Sequence, residues 1–405
     1  MIALAWRNLW RRPHRTILTL LAIAFACLVM VFLLSLQVGT YASIKESSLG
    51  LFDGYAQIQK PGYLRDPNIR KSFPHTGEMV RSLEAITGIS TVAARAQSYA
   101  LLSKGSHSLA AMIVGVQPGA ERRVSRITAM MRSGHYLRNP KAAEIVLGDA
   151  LARNLGVSVG SRVTLLGMGR DGSVAADILN VVGVFSSGIK DIDRQLAEMP
   201  LLRFQTDFAM LGKVNLLVLS GDSLGSVNGA LPAIQRLLKP KGLVVLDWQK
   251  LEPGVKGMIE LDARTSLLWY AALVIVAVAI LLNTIFMSVL ERTRELGVLL
   301  ALGMRPAAAG RMVWLEILML LAMGIVLGMG LGAATDSWFA VHGLNLPGAQ
   351  GVFSRWGISG LMYTKLTVFS LFTGPAVLAV CTALAGVFPF LHVSRLKPVA
   401  AMRAP

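Results

Sequence analysis

The amino-acid sequence predicts a polytopic α-helical membrane protein with four transmembrane helices and a large α/β extracytoplasmic domain between helices 1 and 2. Three observations carry this. Of the 405 residues, 54% are hydrophobic and only 16% charged, with a mean hydropathy of +0.56, whereas soluble domains carry about 25% charged residues. Four apolar runs reach the ~20 residues that a bilayer-spanning helix needs. Between the first and second runs lie residues 45–264, where strand and helix patterns alternate with turn residues.

The first run, within residues 16–44, reads "TILTLLAIAFACLVMVFLLSLQV". It exceeds the roughly 7–15 residues of a signal-peptide core and has no cleavage signal, so it is expected to stay as an anchor. The second is expected over 265–290, which contain no charged residue, the third over 312–335 and the fourth over 368–391. "GIVLGMGLG" in the third run sets Gly324, Gly328 and Gly332 at four-residue steps, a face suited to close helix packing. Cys27 and Cys381 both fall in apolar runs and read as small packing residues. Glu316 and Asn283 are the polar exceptions inside the runs; the first is expected to snorkel or pair with an arginine, the second to bond across a helix interface.

Residues 45–264 are expected to form two subdomains, one interrupting the other near 120–210. "DGYAQIQKPGY" reads as a strand, "GEMVRSLEAITG" as a helix stopped near Gly88, and "SLAAMIVGVQPGAE" as a strand closed by a turn. In "IVLGDALARNLGVSVGSRVTLLG", Asp149 is placed as the cap of a short helix that ends at Gly156, with a turn at Gly160 before a strand. "ILNVVGVFSSG" and "KVNLLVLSG" add strands, and "LGSVNGALPAIQRLLKP" a helix before "GLVVLDW".

Formal net charge is +17. No nucleic-acid-binding motif accompanies it and the basic residues are scattered, so anionic lipid head groups are the expected counter-charge and nucleic acid is not. Basic residues flank the spans unevenly. Eleven lie in the N-terminal segment, the 291–311 loop and the C-terminal tail, against two, Arg355 and Lys365, in the loop over 336–367. The positive-inside rule then puts both termini and the 291–311 loop in the cytoplasm, with 392–405 as a cytoplasmic tail. Residues 1–15, with Trp6 and Trp10 among Arg7, Arg11 and Arg12, read either as a helix lying on the membrane surface or as a simple basic flank.

Catalytic signatures are missing. The sequence has no G-x-x-x-x-G-K-[ST] phosphate loop, no H-E-x-x-H pair and no G-x-S-x-G elbow. No catalytic residue, metal ligand or cofactor is therefore expected in this chain.

The most distinctive segment is "ERTRELGVLLALGMRP", Glu291 to Pro306. It packs Glu291, Arg292, Arg294 and Glu295 into one turn between two uncharged runs, with Arg292 and Glu295 at pairing distance. Leu296, Leu299, Leu300 and Gly303 follow at helical spacing, Gly303 is placed to end that helix, and Pro306 to open the next. A charged start and one apolar side suit a docking element rather than a connector.

This segment resembles the cytoplasmic signature of the FtsX/MacB/LolC-LolE permeases, the type VII ABC transporters: an E-R-x-x-E-[IL]-G-x-[LM]-x-A-[LI]-G run before a third span that starts with a glutamate. Glu291, Arg292, Glu295, Leu296, Gly297, Leu299, Ala301, Leu302, Gly303 and Glu316 supply it here. "AWRNLWRRPHRT" is similar to the family's opening, "EIVLGDALARNLGVSVGSRVTLLG" with "VVGVFSSG" to its extracytoplasmic core, and "RLKPVAAMR" to its closing run, with Met402 where leucine is usual.

The resemblance implies a non-catalytic membrane subunit in the bacterial inner membrane. It would work with two copies of a cytoplasmic ABC ATPase, which bind the ATP and Mg, and with a second permease, the same chain or a relative. Residues Glu291, Arg292, Arg294, Glu295, Leu296, Leu299, Leu302 and Gly303 would then couple to the ATPase, and force would pass to the outer domain by mechanotransmission. Substrate acyl chains would sit between the first two spans, near Leu33, Leu36, Tyr41, Leu267 and Tyr270. The large outer domain, and a chain that begins at its membrane flank, favour release of lipoprotein or lipid to a periplasmic chaperone. The alternatives are export of a small molecule or peptide with a periplasmic adaptor, as in MacB-like members, and activation of a wall hydrolase, as in FtsX-like ones.

Overall fold

A computed structural model describes residues 2–11, 13–291, 293–345 and 361–395. The described residues divide into two compact units: those within 2–42, 259–345 and 361–395 form one, and Ser43–Met258 the other.

The first unit is built on four helices long and apolar enough to cross a membrane. The first-span helix is Pro13–Ser48, the second Pro253–Glu291, the third Pro306–His342, and the fourth Val368–Ala385, continued as Val387–Ser394. Each extends past the apolar run that announced it, except at the start of the fourth, because a helix keeps its hydrogen bonds after composition turns polar. Three open on proline, whose missing N–H costs nothing in the first turn. The fourth opens on a capping box, in which Thr367 accepts from the Ser370 amide and the Ser370 side chain accepts from the Thr367 amide.

The glycine face is buried against the first span. A Cβ added at Gly324 would come within 2.6 Å of Ile23, at Gly328 within 2.5 Å of the Ala24 carbonyl, and at Gly332 within 3.0 Å of Val31. Cys27 packs in the same seam, its thiol donating to the Ile325 carbonyl at 3.7 Å. Asn283 is exposed in the single chain rather than bonded across an internal interface.

The second unit is an α/β domain around one ten-stranded sheet and a two-stranded ribbon. Its strands are β1 (Ala56–Gln59), β2 (Phe73–Pro74), β3 (Thr91–Lys104), β4 (His107–Val116), β5 (Met131–Gly134), β6 (Glu144–Gly148), β7 (Arg162–Met168), β8 (Val174–Phe185), β9 (Leu196–Pro200), β10 (Lys213–Val214), β11 (Leu216–Ser220) and β12 (Val244–Asp247). The sheet runs β12-β1-β11-β3-β4-β9-β6-β8-β5, with β7 bridging β3 and β8; β2 and β10 form the ribbon. The segment expected to interrupt the domain near 120–210 thus shares this sheet, through parallel β4–β9 and antiparallel β3–β7 pairing. Helix Leu224–Leu238 packs on it by its Val227, Ala230, Ile234 and Leu238 face.

Gly156, left-handed at φ 65°, closes helix Asp149–Leu155 as expected. Asp149 is not its cap: that position is Gly148, and the carboxylate of Asp149 is held by Arg132 and Arg153 instead. The two arginines offer charged donors that outcompete a backbone amide.

A charged cluster lies inside this domain. Arg95 and Glu121 are fully buried and paired, Arg95 Nε donating to Glu121 at 3.1 Å and its Nη1 to the Phe52 carbonyl at 2.7 Å. The Tyr136 hydroxyl donates to Glu198 at 2.6 Å. Burial, with the Glu121 charge adding to it, pushes the Glu198 carboxyl up to about 8. A carboxyl raised on folding binds a proton that the unfolded chain releases. Its stabilisation is full below the ordinary value of 4.5 and is lost as pH rises through about 8. Thermal unfolding of the detergent-solubilised chain should therefore shift down between pH 6 and pH 9. Glu198→Gln should make that decline shallower, by several degrees or less; an unchanged slope would assign the effect to other groups, such as Glu252, also raised to about 8 by burial.

Candidate functional site

Between the first and second spans lies a 680 Å³ cavity. Phe25, Val29 and Leu33 line it from one helix, Trp269, Val276 and Ile280 from the other, and every lining side chain is apolar. Large pockets for small molecules run to about 300–1,000 Å³ and carry a few converging polar groups; none converges here. Phe25, Trp269, Val276 and Ile280 are exposed, so in this chain the cavity opens outward from the helix pair.

One turn beyond Leu33, the two helices are joined by polar side chains. The Tyr41 hydroxyl donates to Asp262 at 2.5 Å, Gln37 Nε2 approaches the same carboxylate at 3.3 Å, and the Tyr270 hydroxyl donates to Gln37 Oε1 at 3.1 Å. Of the five residues placed near acyl chains, Leu33 lines the cavity, while Tyr41 and Tyr270 belong to this clasp. Leu36 is half-buried off the cavity wall and Leu267 is exposed. Gln37 and Asp262 escaped the sequence reading. Nothing but their spacing to Tyr41 and Tyr270 on two separate helices signals them.

At the other end of these spans sits the segment with the clustered charges. Its helix is Thr293–Ala301, and Gly303 ends it at φ 98°, a left-handed conformation that glycine adopts without strain. Arg292, and with it the expected pair to Glu295, lies outside the described residues, as do the side chains of Leu296 and Leu299. Leu300 is turned inward, buried with Ile285, Val289, Met312 and Ile317. Leu302 is turned outward, 80% exposed, with Arg294 also exposed.

The acids of this segment face the N-terminal region. Arg15 grips Glu291 with two hydrogen bonds of 3.0 and 2.8 Å, and Arg11 reaches Glu295 at 3.5 Å. Helix Ile2–Leu9 buries Ala5 and Leu9, and its exposed Trp6 meets the exposed Trp10, just past the helix, edge to face at 6.1 Å. Its Asn8 donates to Glu316 at 2.9 Å, so this acid has an amide partner. A smaller cavity of 150 Å³, walled by Asn8, Arg15, Glu295 and Glu316 among others, separates these elements.

One buried acid was missed altogether. Asp336 fell just past the expected end of the third span, but the helix continues to His342 and buries it completely. Neither carboxylate oxygen has a hydrogen-bond partner among the described residues. The nearby Ser35 hydroxyl is spent on Ser370 at 2.9 Å, and Thr364 donates to the Asp336 main-chain carbonyl rather than to its side chain.

The MacB-like periplasmic core domain family matches residues 16–234, more than half of the chain, and the FtsX-like permease C-terminal family matches residues 268–398. The chain belongs to the FtsX/MacB/LolC family of permeases. Members of this family are permease subunits of ABC transporters, and the layout expected from sequence, four spans with an α/β domain after the first, is the family's. A lipoprotein-releasing system transmembrane protein LolC of Neisseria meningitidis serogroup B is 23% identical over 411 residues, spanning 96% of this chain and 94% of that relative. LolC of Xylella fastidiosa strain 9a5c is 22% identical over 322 residues, 76% of each chain. Among solved structures, the periplasmic region of MacB from Actinobacillus actinomycetemcomitans is similar at 14% identity and a TM-score of 0.36, covering 51% of this chain and 94% of that one. The extracellular domain of the transporter YknZ from Gram-positive bacteria is similar at 14% identity and 0.35, covering 48% and 99%.

A buried carboxylate without partners is a cost that the neutral isostere avoids. Asp336→Asn should raise the midpoint of thermal unfolding in detergent by about 2–4 °C. A lowered midpoint would show that the carboxylate makes a stabilising contact in the assembled protein.

Proposed function

We propose that this chain is the permease subunit of an ABC transporter that extracts lipoprotein or lipid from the outer leaflet of the bacterial inner membrane. In this reading both termini are cytoplasmic and the α/β domain is periplasmic. Two copies of an ATPase bind ATP and Mg, a second permease completes the membrane part, and a periplasmic chaperone takes the released substrate.

The observation that carries this reading is the cavity between the first two spans. A wholly apolar lining offers nothing to a hydrated solute and suits acyl chains, each methylene of which would cost about 0.8 kcal/mol if exposed to water instead. The clasp of Gln37, Tyr41, Asp262 and Tyr270 sits where the polar end of a lipid-anchored substrate would leave the hydrocarbon. The names of the LolC relatives point to the same substrate class. Export of a small polar molecule would call for polar groups within the cavity.

Force enters, in this proposal, through the loop after the second span. Leu302 at its tip is the exposed apolar contact for a groove on the ATPase, with Leu299 three residues earlier and Arg294 at the rim. The coupling is mechanical: closure of the ATPases moves the spans, and the spans move the outer domain.

Two outcomes check the reading. In proteoliposomes containing the permease pair and its ATPase, a labelled lipoprotein should pass to a soluble carrier only with ATP. Ala26→Trp or Ala272→Trp, which fill the cavity, should lower that release about tenfold or more, as overpacked sites lose binding. Undiminished release would remove the cavity from the substrate path. Leu302→Asp should abolish co-purification of the ATPase while membrane insertion stays intact; full co-purification would refute the docking role.

A further inference from the structure

Resting on the proposed coupling, we infer that Arg15 and Glu291 form a strut that carries force from the ATPase-facing loop directly into the first span. The two residues occupy mechanically opposite positions. Glu291 is the last residue of the second-span helix, at the entry to helix Thr293–Ala301. Arg15 lies in the first turn of the first-span helix. Their two parallel hydrogen bonds fix both distance and orientation, which a single point contact does not. Both side chains are about 30% exposed, so water screens the pair only in part.

The strut is braced on both sides. Thr16 Oγ1 donates to the Leu9 carbonyl at 2.5 Å, locking the bend between helix Ile2–Leu9 and the first span. Asn8 ties that helix to Glu316 on the third span, and Arg11 ties the bend to Glu295 on the loop helix. A push on the loop thus has a polar route to the first span that does not pass through the apolar cavity. The charges that made this loop conspicuous are divided by role: Glu291 and Glu295 face the N-terminal segment, while Arg294, like the apolar Leu302, is exposed. Arg15 and Glu291 are positioning residues; neither touches substrate.

The test uses the full permease–ATPase complex in proteoliposomes, with a labelled lipoprotein and a soluble carrier. Arg15→Glu should leave the ATPase bound and hydrolysing ATP but lower release per ATP about tenfold, within the range by which changes along a coupling route act. Adding Glu291→Arg in the same chain should restore release to within about threefold of the parent. Arg15→Lys, keeping charge but not the two-pronged geometry, should fall between parent and Arg15→Glu. Normal release by Arg15→Glu, or no recovery in the double swap, overturns the strut. Loss of the ATPase from Arg15→Glu also overturns it, placing Arg15 at the partner's surface. Absence of ATP-driven release from the parent complex would instead overturn the proposed substrate. In that case, labels on the first and second spans still read the strut: ATP should change their separation in the parent and the double swap, and not in Arg15→Glu.

Discussion

Inside a bilayer, apolar side chains gain nothing by leaving lipid for one another, so helices associate through close backbone contact and polar bonds. The arrangement of this membrane unit depends on that constraint. The first and third spans meet by the first means: Gly324, Gly328 and Gly332 bring the third-span backbone against Ile23, Ala24, Cys27 and Val31, where a side chain would clash at the first two and be tightly crowded at the third. That seam commits one face of the first span. Its other face, bearing Phe25, Val29 and Leu33, is left to the second span and has no glycines to bring it close.

Much of this was legible in the sequence because the signals were local. Four apolar runs, Pro306 at the head of the third span, the glycine steps, and Gly156 and Gly303 as helix ends each declare themselves within a few residues. The sheet was legible as strands but not as an order, since pairing β4 with β9 joins residues about eighty apart. The segment Glu291 to Pro306 was legible as unusual, with its four charges read as one cluster in a single turn. Their division needed Arg11 and Arg15, nearly three hundred residues away, which no local pattern names. Asp149 was misread for the same reason: a cap is a local inference, and Arg132 is a distant competitor.

Buried charge is handled in two ways in the two units. In the α/β domain, Arg95 is surrounded by Glu121, the Phe52 carbonyl and the Phe52 ring, so a full charge is kept with its donors satisfied. The membrane unit has no such surplus. Glu316 is given an amide at the basic end, and Asp336 is surrounded by hydroxyls already engaged elsewhere. A helix that continues past its apolar run carries whatever follows into the packed interior, so Asp336 is buried by the persistence of the helix rather than by the character of the residue.

The second span meets the first by the other means available in lipid. Arg15 and Glu291 join the pair at one end, and Tyr41, Gln37, Asp262 and Tyr270 join it at the other. Between the two clasps no hydrogen bond joins the two helices among the described residues, and the 680 Å³ cavity occupies that interval. Parting the middle of these helices therefore breaks no hydrogen bond, and an acyl chain entering there exchanges one hydrocarbon contact for another. The work of moving such a chain cannot come from the cavity, which holds it no more tightly than lipid does. It has to be delivered at the clasps, where the bonds that fix the two helices are concentrated.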